Sequence, residues 1–374
     1  MTRSRIARLA RENVVALIAV ALAAASTILV PPDEAYLGYF DLHTLAMLFC
    51  MLATITALHR ARFFGAVATR IVRTLRTVRG LGVGLVLTTA AASALFTNDA
   101  ALIAMLPLAW VALESTGSTR HTAFVFVMMA IAANLGGMIT PFGSPHNLYL
   151  YSFYGIPSGE FVAIMLVPFL VSLALMLGLC LLLPNTPIGA PGVDLAFSPR
   201  LVLLYLALFA LTLLLVLRVV PVWAGLAVPL VLLFADRGAL ARLDWGLLAT
   251  FAAFFVFAGN LTRIPALSEL LHALVGGGAL LTSALASQVI SNVPTAILLS
   301  HFTDDYPQLL LGVNVGGVGT LVASLASLIV LAQFRRVRPR RVGRFVGLFS
   351  AVNFGFLAVL LALTLGLTAA GFYG

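Results

Sequence analysis

The sequence predicts an all-α protein that crosses a membrane many times. We expect two inverted-topology repeats, each with a re-entrant helical hairpin and a discontinuous transmembrane helix. Three observations lead to this prediction. The 374 residues are 61% hydrophobic and only 9% charged, whereas a soluble domain carries about 25% charge. Apolar runs of roughly 20 residues, the length that spans a bilayer, recur along the chain. Polar residues then interrupt these runs in the same order in each half.

The net charge of +9 could suggest a nucleic-acid partner, but the placement of the charge argues against one. The basic residues are all arginine and lie in short loops between apolar runs, as the positive-inside rule expects. The partner that this pattern predicts is the lipid bilayer.

Full spans are predicted near residues 13–31, 41–58, 121–153, 159–183, 200–218, 221–235, 245–260, 307–332 and 345–370. Two further segments, 80–114 and 268–302, are predicted as pairs of half-length helices with a polar break between them. The stretch 60–79 is too charged to span. Its residues Phe64, Val67, Ile71, Leu75 and Val78 share one face, which predicts an amphipathic helix at the membrane surface.

The arginine clusters predict which side of the membrane each loop occupies. They comprise Arg3, Arg5, Arg8 and Arg11, the arginines of 60–79, and the group from Arg335 to Arg344. If the N-terminus is cytoplasmic and each broken segment returns to the side it left, all three clusters are cytoplasmic. Asp304, Asp305 and the C-terminus then lie outside.

The repeats are seen as matched polar stretches. "NLGGMITPFGS" (134–144) and "NVGGVGTLVAS" (314–324) share Asn, Gly-Gly, Thr and Ser at the same offsets. Each follows a broken apolar segment, "SALFTNDAALIAMLPL" (93–108) and "SQVISNVPTAILLSHF" (287–302), in which Thr97-Asn98 aligns with Ser291-Asn292. This order predicts a first repeat over 1–184, a connecting loop and span over 185–220, and a second repeat over 221–374.

Breaks of this kind can create binding groups inside a membrane. Backbone leaves helical geometry at membrane depth only where it lines a cavity or is buried in protein. Glycine pairs permit the break, and Pro141 and Pro294 keep the helix from resuming. The new helix ends attract ions. The alternative is that the small residues only pack helices closely. The candidate substrate- or ion-binding residues are Thr97, Asn98, Asp99, Asn134, Gly137, Thr140, Ser144, Asn147, Ser291, Asn292, Thr295, Asn314, Gly317, Thr320 and Ser324.

Asp99 is the acidic residue that the predicted spans place near mid-membrane, where a charged side chain is costly and is usually functional. It is predicted to couple transport to an ion, either by loading a proton or by ligating sodium. The alternative is that Asn98 or Asp99 caps the half-helix that follows. His146 could shuttle protons, or it could be a hydrogen-bonded residue at a helix end.

Enzyme chemistry is not predicted, because the chain has no HExxH or GxSxG motif and no metal-ligand spacing of Cys and His. No catalytic residue or cofactor is expected, apart from sodium or a proton as coupling ion. A channel would also use polar breaks, but paired discontinuous helices in inverted repeats favour alternating access.

At the four stretches quoted above, the chain resembles the ion transporter superfamily. This superfamily includes ArsB-type arsenite permeases, NhaD sodium/proton antiporters, citrate–metal symporters and divalent-anion/sodium symporters. The chain is most similar to short YbiR-type inner-membrane proteins. The resemblance implies two repeats, hairpin tips at Thr97-Asn98 and Ser291-Asn292 beside the site with sodium near Asn98 and Asn292, and a homodimer as the common assembly. The sodium-coupled dicarboxylate branch has Ser-Asn-Thr at both tips, whereas this chain has Thr97-Asn98-Asp99 and Ser291-Asn292-Val293.

Together these features predict a secondary active transporter of a small anion in the inner membrane, coupled to protons or sodium. Since no arginine is placed at depth, helix N-termini and neutral side chains would hold the anion. Arsenite or antimonite efflux and sodium/proton exchange remain open as alternatives, with a channel less favoured.

Overall fold

A computed structural model describes residues 14–189 and 199–373. Within these residues the chain is helical and contains no β-strand, so the predicted all-α class is confirmed. Five helices in this part are long and apolar enough to cross a membrane. The cluster from Arg3 to Arg11 lies outside the described residues, and the sidedness of the loops stays a prediction.

The first half begins at α1 and ends at α8. Its helices are α1 (Val14–Leu29), α2 (Leu42–Arg60), α3 (Phe63–Val72), α4 (Val78–Leu95), α5 (Asn98–Ser115), α6 (Thr122–Gly137), α7 (Pro145–Phe153) and α8 (Ser158–Cys180). The prediction of half-length helices over 80–114 is wrong. Both α4 and α5 have 18 residues, or about 27 Å of helix, which is close to the ~30 Å of hydrocarbon in a bilayer.

The predicted surface helix over 60–79 is shorter than expected. Helix α3 ends at Val72, and α4 begins at Val78 after a five-residue connection. Phe64, Ala68 and Val72 are buried at a spacing of four, whereas Val67 and Ile71 are exposed. Helix α3 thus packs on its neighbours along the 64–68–72 stripe. Contact of the exposed Val67 and Ile71 with lipid stays a prediction.

The second half has a different set of helix lengths. Its helices, with the connecting span α9, are α9 (Pro199–Val216), α10 (Ala227–Ala235), α11 (Arg237–Ala241), α12 (Trp245–Thr262), α13 (Pro265–Gly276), α14 (Ala279–Ile290), α15 (Asn292–Leu299), α16 (Tyr306–Val315), α17 (Leu325–Val337) and α18 (Val342–Ala369). The predicted span 221–235 starts with a short 3-10 helix, Val222–Leu226, and its α-helix begins only at Ala227. Segment 268–302 contains parts of three helices rather than two, because α13 and α14 meet at a 117° bend. Helix α15 has only eight residues.

The two discontinuous helices are broken where the sequence predicted. Residues 138–144 separate α6 from α7, and residues 316–324 separate α16 from α17. In both halves the first hairpin helix packs against the first part of the broken helix, α4 on α6 and α14 on α16. One continuous cluster of buried apolar side chains runs through both halves. The breaks are thus held inside a shared core, and the inverted relation of the two halves stays a prediction.

Candidate functional site

The two hairpin breaks lie directly against the two helix breaks. The backbone N–H of Asn98, at the start of α5, donates to the carbonyl of Gly143 at 3.0 Å. The backbone N–H of Asn292, at the start of α15, donates to the carbonyl of Ala323 at 3.0 Å. Because Ser144 and Ser324 cap α7 and α17, each contact brings two helix N-termini together.

Threonine side chains brace the breaks in the same way in both halves. The hydroxyl of Thr140 donates to the carbonyl of Ala94 at 2.6 Å, and the hydroxyl of Thr320 donates to the carbonyl of Gln288 at 2.8 Å. Thr140 and Thr320 are 180 positions apart, and Ala94 and Gln288 are 194 apart, the same separations as the Asn134/Asn314 and Asn98/Asn292 pairs. The two halves therefore build their breaks with equivalent contacts.

The first glycine of each Gly-Gly pair permits this close packing. A Cβ on Gly136 would lie 2.6 Å from the Cα of Ala90, and one on Gly316 would lie 2.8 Å from the Cα of Ala284. No real Cβ tolerates such distances, so only glycine lets the broken helix approach the hairpin. The Gly-Gly pairs that the sequence analysis singled out are thus explained by backbone contact.

Asparagine side chains join the two halves of the molecule. Asn98 Nδ2 lies 3.5 Å from Asn134 Oδ1, and Asn134 Nδ2 donates to Ser324 Oγ at 2.9 Å. Asn314 Nδ2 donates to Asn147 Oδ1 at 2.7 Å. All five of these side chains are buried. Residues of the first half thus bond directly to residues of the second, across 190 and 167 positions of sequence.

The hydrogen-bond network also assigns the tautomer of His146. Asn147 Nδ2 donates to the carbonyls of Gly137 and Thr140 at 3.2 and 3.3 Å, which leaves Asn147 Oδ1 to accept from Asn314. Asn314 Oδ1 then faces His146 Nε2 at 3.3 Å. Since that oxygen can only accept, the proton of the neutral imidazole belongs on Nε2. His146 Nδ1 is buried without a hydrogen-bond partner, so it presents a lone pair.

His146 makes the two halves chemically unequal. It lies 3.2 Å from Ser144 Oγ and so stands between Ser144 and Asn314. In the other half Asn134 reaches Ser324 directly, and Ala326 occupies the position that matches His146. His146 was weighed in the sequence analysis but not included among the candidate binding residues.

The two hairpin tips differ in conformation. Thr97 caps α5 by accepting from the N–H of Ala100 at 3.4 Å, so the interpretation of Asn98 or Asp99 as the cap was wrong. The sequence could not separate three adjacent polar residues, each of which suits an N-cap. Ser291 has φ +75° and makes no capping hydrogen bond. Left-handed backbone in a non-glycine residue is strained and is typical of functional sites.

Asp99 lies in the first turn of α5 and is half-buried. One of its carboxylate oxygens, Oδ1, is buried and has no hydrogen-bond partner. Its backbone N–H is satisfied by Asn98 Oδ1 at 3.0 Å. A buried carboxylate oxygen with no partner is a candidate for a titrating or ion-binding group.

The remaining candidate residues have structural contacts of their own. The Thr295 hydroxyl donates to the carbonyl of Ser291 at 2.8 Å, one turn back. A Cβ on Gly137 would lie 2.6 Å from the Gly143 carbonyl, and one on Gly317 would lie 3.0 Å from Asn292 Nδ2. Gly317 thus makes room for the Asn292 side chain, which is buried and has no hydrogen-bond partner within the described residues.

Gln288 is a site residue that the sequence analysis missed. Its Nε2 donates to the carbonyls of Gly316 at 2.8 Å and Val318 at 3.1 Å, and its Oε1 accepts from the N–H of Thr320 at 2.8 Å. One side chain therefore satisfies three backbone groups of the second helix break. The signal was present, since a glutamine in an apolar hairpin four residues before Asn292 is itself unusual.

Apart from the Asp99 carboxylate, the groups at this site that could ligate a cation are neutral. Among residues 14–189 and 199–373, no three His, Cys, Asp or Glu side chains come together as a metal site. The asparagine, serine and threonine oxygens and the backbone carbonyls of the two breaks are of the type that hard cations such as sodium prefer. The donor set thus fits sodium chemically and does not fit a transition metal.

Helix breaks that meet at a buried neutral polar cluster, in a polytopic all-α chain, define a membrane transport protein. The chain belongs to the citrate transporter family (CitMHS), whose sequence profile matches residues 6–306. It is therefore a membrane transporter of the citrate or divalent-anion permease type.

Relatives and a solved structure agree with this assignment. The chain is 30% identical to an uncharacterised transporter of Methanocaldococcus jannaschii over 329 residues, covering 85% of this chain and 88% of the relative. It is 32% identical to the inner membrane protein YbiR of Escherichia coli over 315 residues, covering 81% and 82%. The fold is similar to the crystal structure of the YdaH transporter of Alcanivorax borkumensis, with a TM-score of 0.55 at 15% identity, over 96% of this chain and 97% of that one.

Proposed function

We propose that this protein is a secondary active transporter that carries a small anion across the cytoplasmic (inner) membrane by alternating access, coupled to protons or sodium. The observation that carries the proposal is the meeting of four helix N-termini, at Thr97, Ser144, Ser291 and Ser324, around one asparagine cluster. Two relatives, one named as a transporter and one as an inner membrane protein, support the proposal. The N-terminus is cytoplasmic and the C-terminus outside in this proposal, because that arrangement places the arginine clusters inside.

The cluster suits an anion of low charge. Helix N-termini carry partial positive charge and unpaired N–H groups, which stabilise anions. None of the hydrogen bonds of the cluster within the described residues involves an arginine. A carboxylate or small oxyanion can be held in this way, whereas a multiply charged anion would need a bound cation as counter-charge.

Asp99 provides the coupling group. It begins α5 beside Asn98 and has a buried oxygen without a partner. Either a proton or a sodium ion would neutralise it, and an unneutralised carboxylate is too costly to move through hydrocarbon. The charge state of Asp99 thus decides whether the binding site can switch its access from one side of the membrane to the other.

The test replaces Asp99 by asparagine, which keeps the shape and removes the titration. We expect Asp99→Asn to fold and to bind substrate, but to lose uptake driven by a pH or sodium gradient in proteoliposomes. The matched control is Asp304→Asn, the same change at an exposed residue whose side chain makes no hydrogen bond in the described structure. Undiminished concentrative uptake by Asp99→Asn would remove Asp99 from the coupling step.

A thermal-shift screen distinguishes the substrate classes. A ligand that binds only the folded protein at 100 times its Kd adds about 2.7 kcal/mol to stability. Citrate, dicarboxylates, sulfate, arsenite and sodium are tested separately. Stabilisation by arsenite alone would favour an arsenite or antimonite efflux permease, and stabilisation by sodium alone would favour sodium/proton exchange. Flux that never exceeds equilibrium under a gradient would indicate a channel.

A further inference from the structure

An arginine-lined cavity lies away from the asparagine cluster, where the start of α6 meets the turn between α17 and α18. Its volume is about 210 Å³, which is much larger than the space of one water molecule. Four arginines line it, and they come from two distant parts of the chain. They are Arg120, Arg338, Arg341 and Arg344. We call this cavity the arginine pocket.

The four guanidinium groups have no carboxylate partner in the described residues. Arg341 and Arg344 are exposed, and their side chains make no hydrogen bond or ion pair there. The Nε of Arg338 is buried without a partner. Arg120 Nε donates to His121 Nε2 at 2.9 Å. Burial, followed by the charge of Arg120, lowers the pKa of His121, so the imidazole is neutral at pH 7 and adds no counter-charge.

Helix geometry adds to the positive potential of the pocket. Both α6 and α18 begin here, and neither has an acidic residue in its first turn. Their unpaired N–H groups and dipoles point positive ends at the same region as the arginines. The Arg338 guanidinium lies over the ring of Trp110, 5.2 Å from its centroid, and this cation–π contact orients it.

The length of α18 places this pocket at the level of the lipid headgroups. The helix has 28 residues, about 42 Å of helix, whereas the hydrocarbon layer is about 30 Å thick. Arg344, in the first turn, is the charged residue of α18, and a charged side chain is costly at the centre of a bilayer. We therefore expect the first turns of α18 to lie beyond the hydrocarbon. Phe334, Phe345 and Leu348 also line the pocket and make part of its wall apolar. A wall that combines positive charge with apolar side chains matches a charged headgroup joined to acyl chains.

We propose that the arginine pocket binds the phosphate group of an anionic phospholipid. Guanidinium groups bind phosphate oxygens in pairs, and basic pockets between membrane helices suit anionic headgroups. The bound lipid would link α6 of the first half to the α17–α18 turn of the second. This proposal is independent of the substrate carried at the asparagine cluster.

The experiment compares two double variants that remove the same charge. Arg341→Gln/Arg344→Gln changes two exposed pocket arginines. Arg335→Gln/Arg336→Gln changes two exposed arginines that line a neighbouring groove instead. Thermal unfolding is measured for each purified protein in nanodiscs of phosphatidylcholine alone, and with about one-fifth phosphatidylglycerol. Inorganic phosphate and glycerol 3-phosphate are added separately in the phosphatidylcholine discs. Unfolding without anionic lipid shows whether each variant folds.

We expect phosphatidylglycerol to raise the melting temperature of the wild type and of Arg335→Gln/Arg336→Gln. In Arg341→Gln/Arg344→Gln the rise should disappear, and lipid titrations should show about tenfold weaker binding or worse. If inorganic phosphate or glycerol 3-phosphate stabilises the protein and phosphatidylglycerol does not, the pocket binds phosphate but its ligand is not a lipid, and the proposal is overturned. An equal loss in both double variants would overturn the pocket, since general surface charge would then explain the effect.

Discussion

The Gln288 side chain provides the most direct test of how the second helix break is held. Its amide makes short hydrogen bonds to three backbone groups, the Gly316 and Val318 carbonyls and the Thr320 N–H. Gln288→Leu keeps a side chain of similar volume and removes both the donor and the acceptor. The three backbone groups then lose their partner inside the protein.

The size of the effect follows from these three bonds. Removing the partner of a buried polar group costs about 1–3 kcal/mol in soluble proteins. In membrane proteins a side-chain hydrogen bond averages about 0.6 kcal/mol, with a maximum near 1.7. Three bonds on the membrane scale sum to about 2–5 kcal/mol. We therefore expect Gln288→Leu to lower the free energy of unfolding by about 2–5 kcal/mol.

The assay is equilibrium unfolding in mixed detergent micelles, with Gln333→Leu as the control. Gln333 is a half-buried glutamine on α17 whose side chain makes no hydrogen bond within the described residues. The same chemical change there should alter stability by less than about 0.5 kcal/mol. If the two variants unfold at the same detergent concentration, Gln288 does not hold the break and the reasoning is refuted.

Three further predictions concern single residues. Ser291→Gly should raise the melting temperature of the protein in thermal unfolding, because glycine adopts φ +75° without strain. A lower melting temperature would show that the Ser291 hydroxyl stabilises the protein by more than the strain destabilises it. His146→Gln can keep a donor toward Asn314 and should unfold like the wild type. His146→Leu leaves Asn314 Oδ1 unpaired and should lose about 1–3 kcal/mol of stability in the same unfolding assay. Equal stability of the two variants would contradict the assigned tautomer. The hydrogen bond from Arg263 holds the pKa of Asp33 below its usual range. The pair therefore stabilises the fold at pH values above the unfolded-state pKa of about 3.9. This contribution is lost as the pH falls through the lower pKa of the folded state. Asp33→Asn should therefore reduce the pH dependence of unfolding below about pH 4, and an unchanged acid profile would show that the pair does not contribute.

The helix breaks could be predicted from sequence because their signals are local. A Gly-Gly pair followed by threonine and a capping serine marks the interruption before Ser144 and before Ser324. The repeated order of these residues then identified equivalent positions in both halves. Local chemistry of this kind depends on a few adjacent residues, and sequence patterns report it well.

Other features depend on contacts between distant residues and could not be predicted. The left-handed backbone of Ser291 results from packing against residue 323, and nothing in its own sequence demands it. The tautomer of His146 depends on Asn314, which lies 168 positions away. The lengths of the hairpin helices were also missed, because a uniformly apolar run does not mark where a helix must end.

The difference in length between α5 and α15 has an electrical consequence. Helix α5 extends about 27 Å from the asparagine cluster with its 18 residues, whereas α15 extends only about 12 Å with its eight. An ion that reaches the cluster from the far end of α15 therefore passes a thinner layer of protein than one that enters along α5. Moving one charge across the whole membrane potential is worth about 2.3 kcal/mol per 100 mV. In the proposed alternating-access cycle, each step would take a share of this energy in proportion to its path. The step on the α5 side should then carry about two-thirds of the voltage dependence of transport, and the step on the α15 side about one-third.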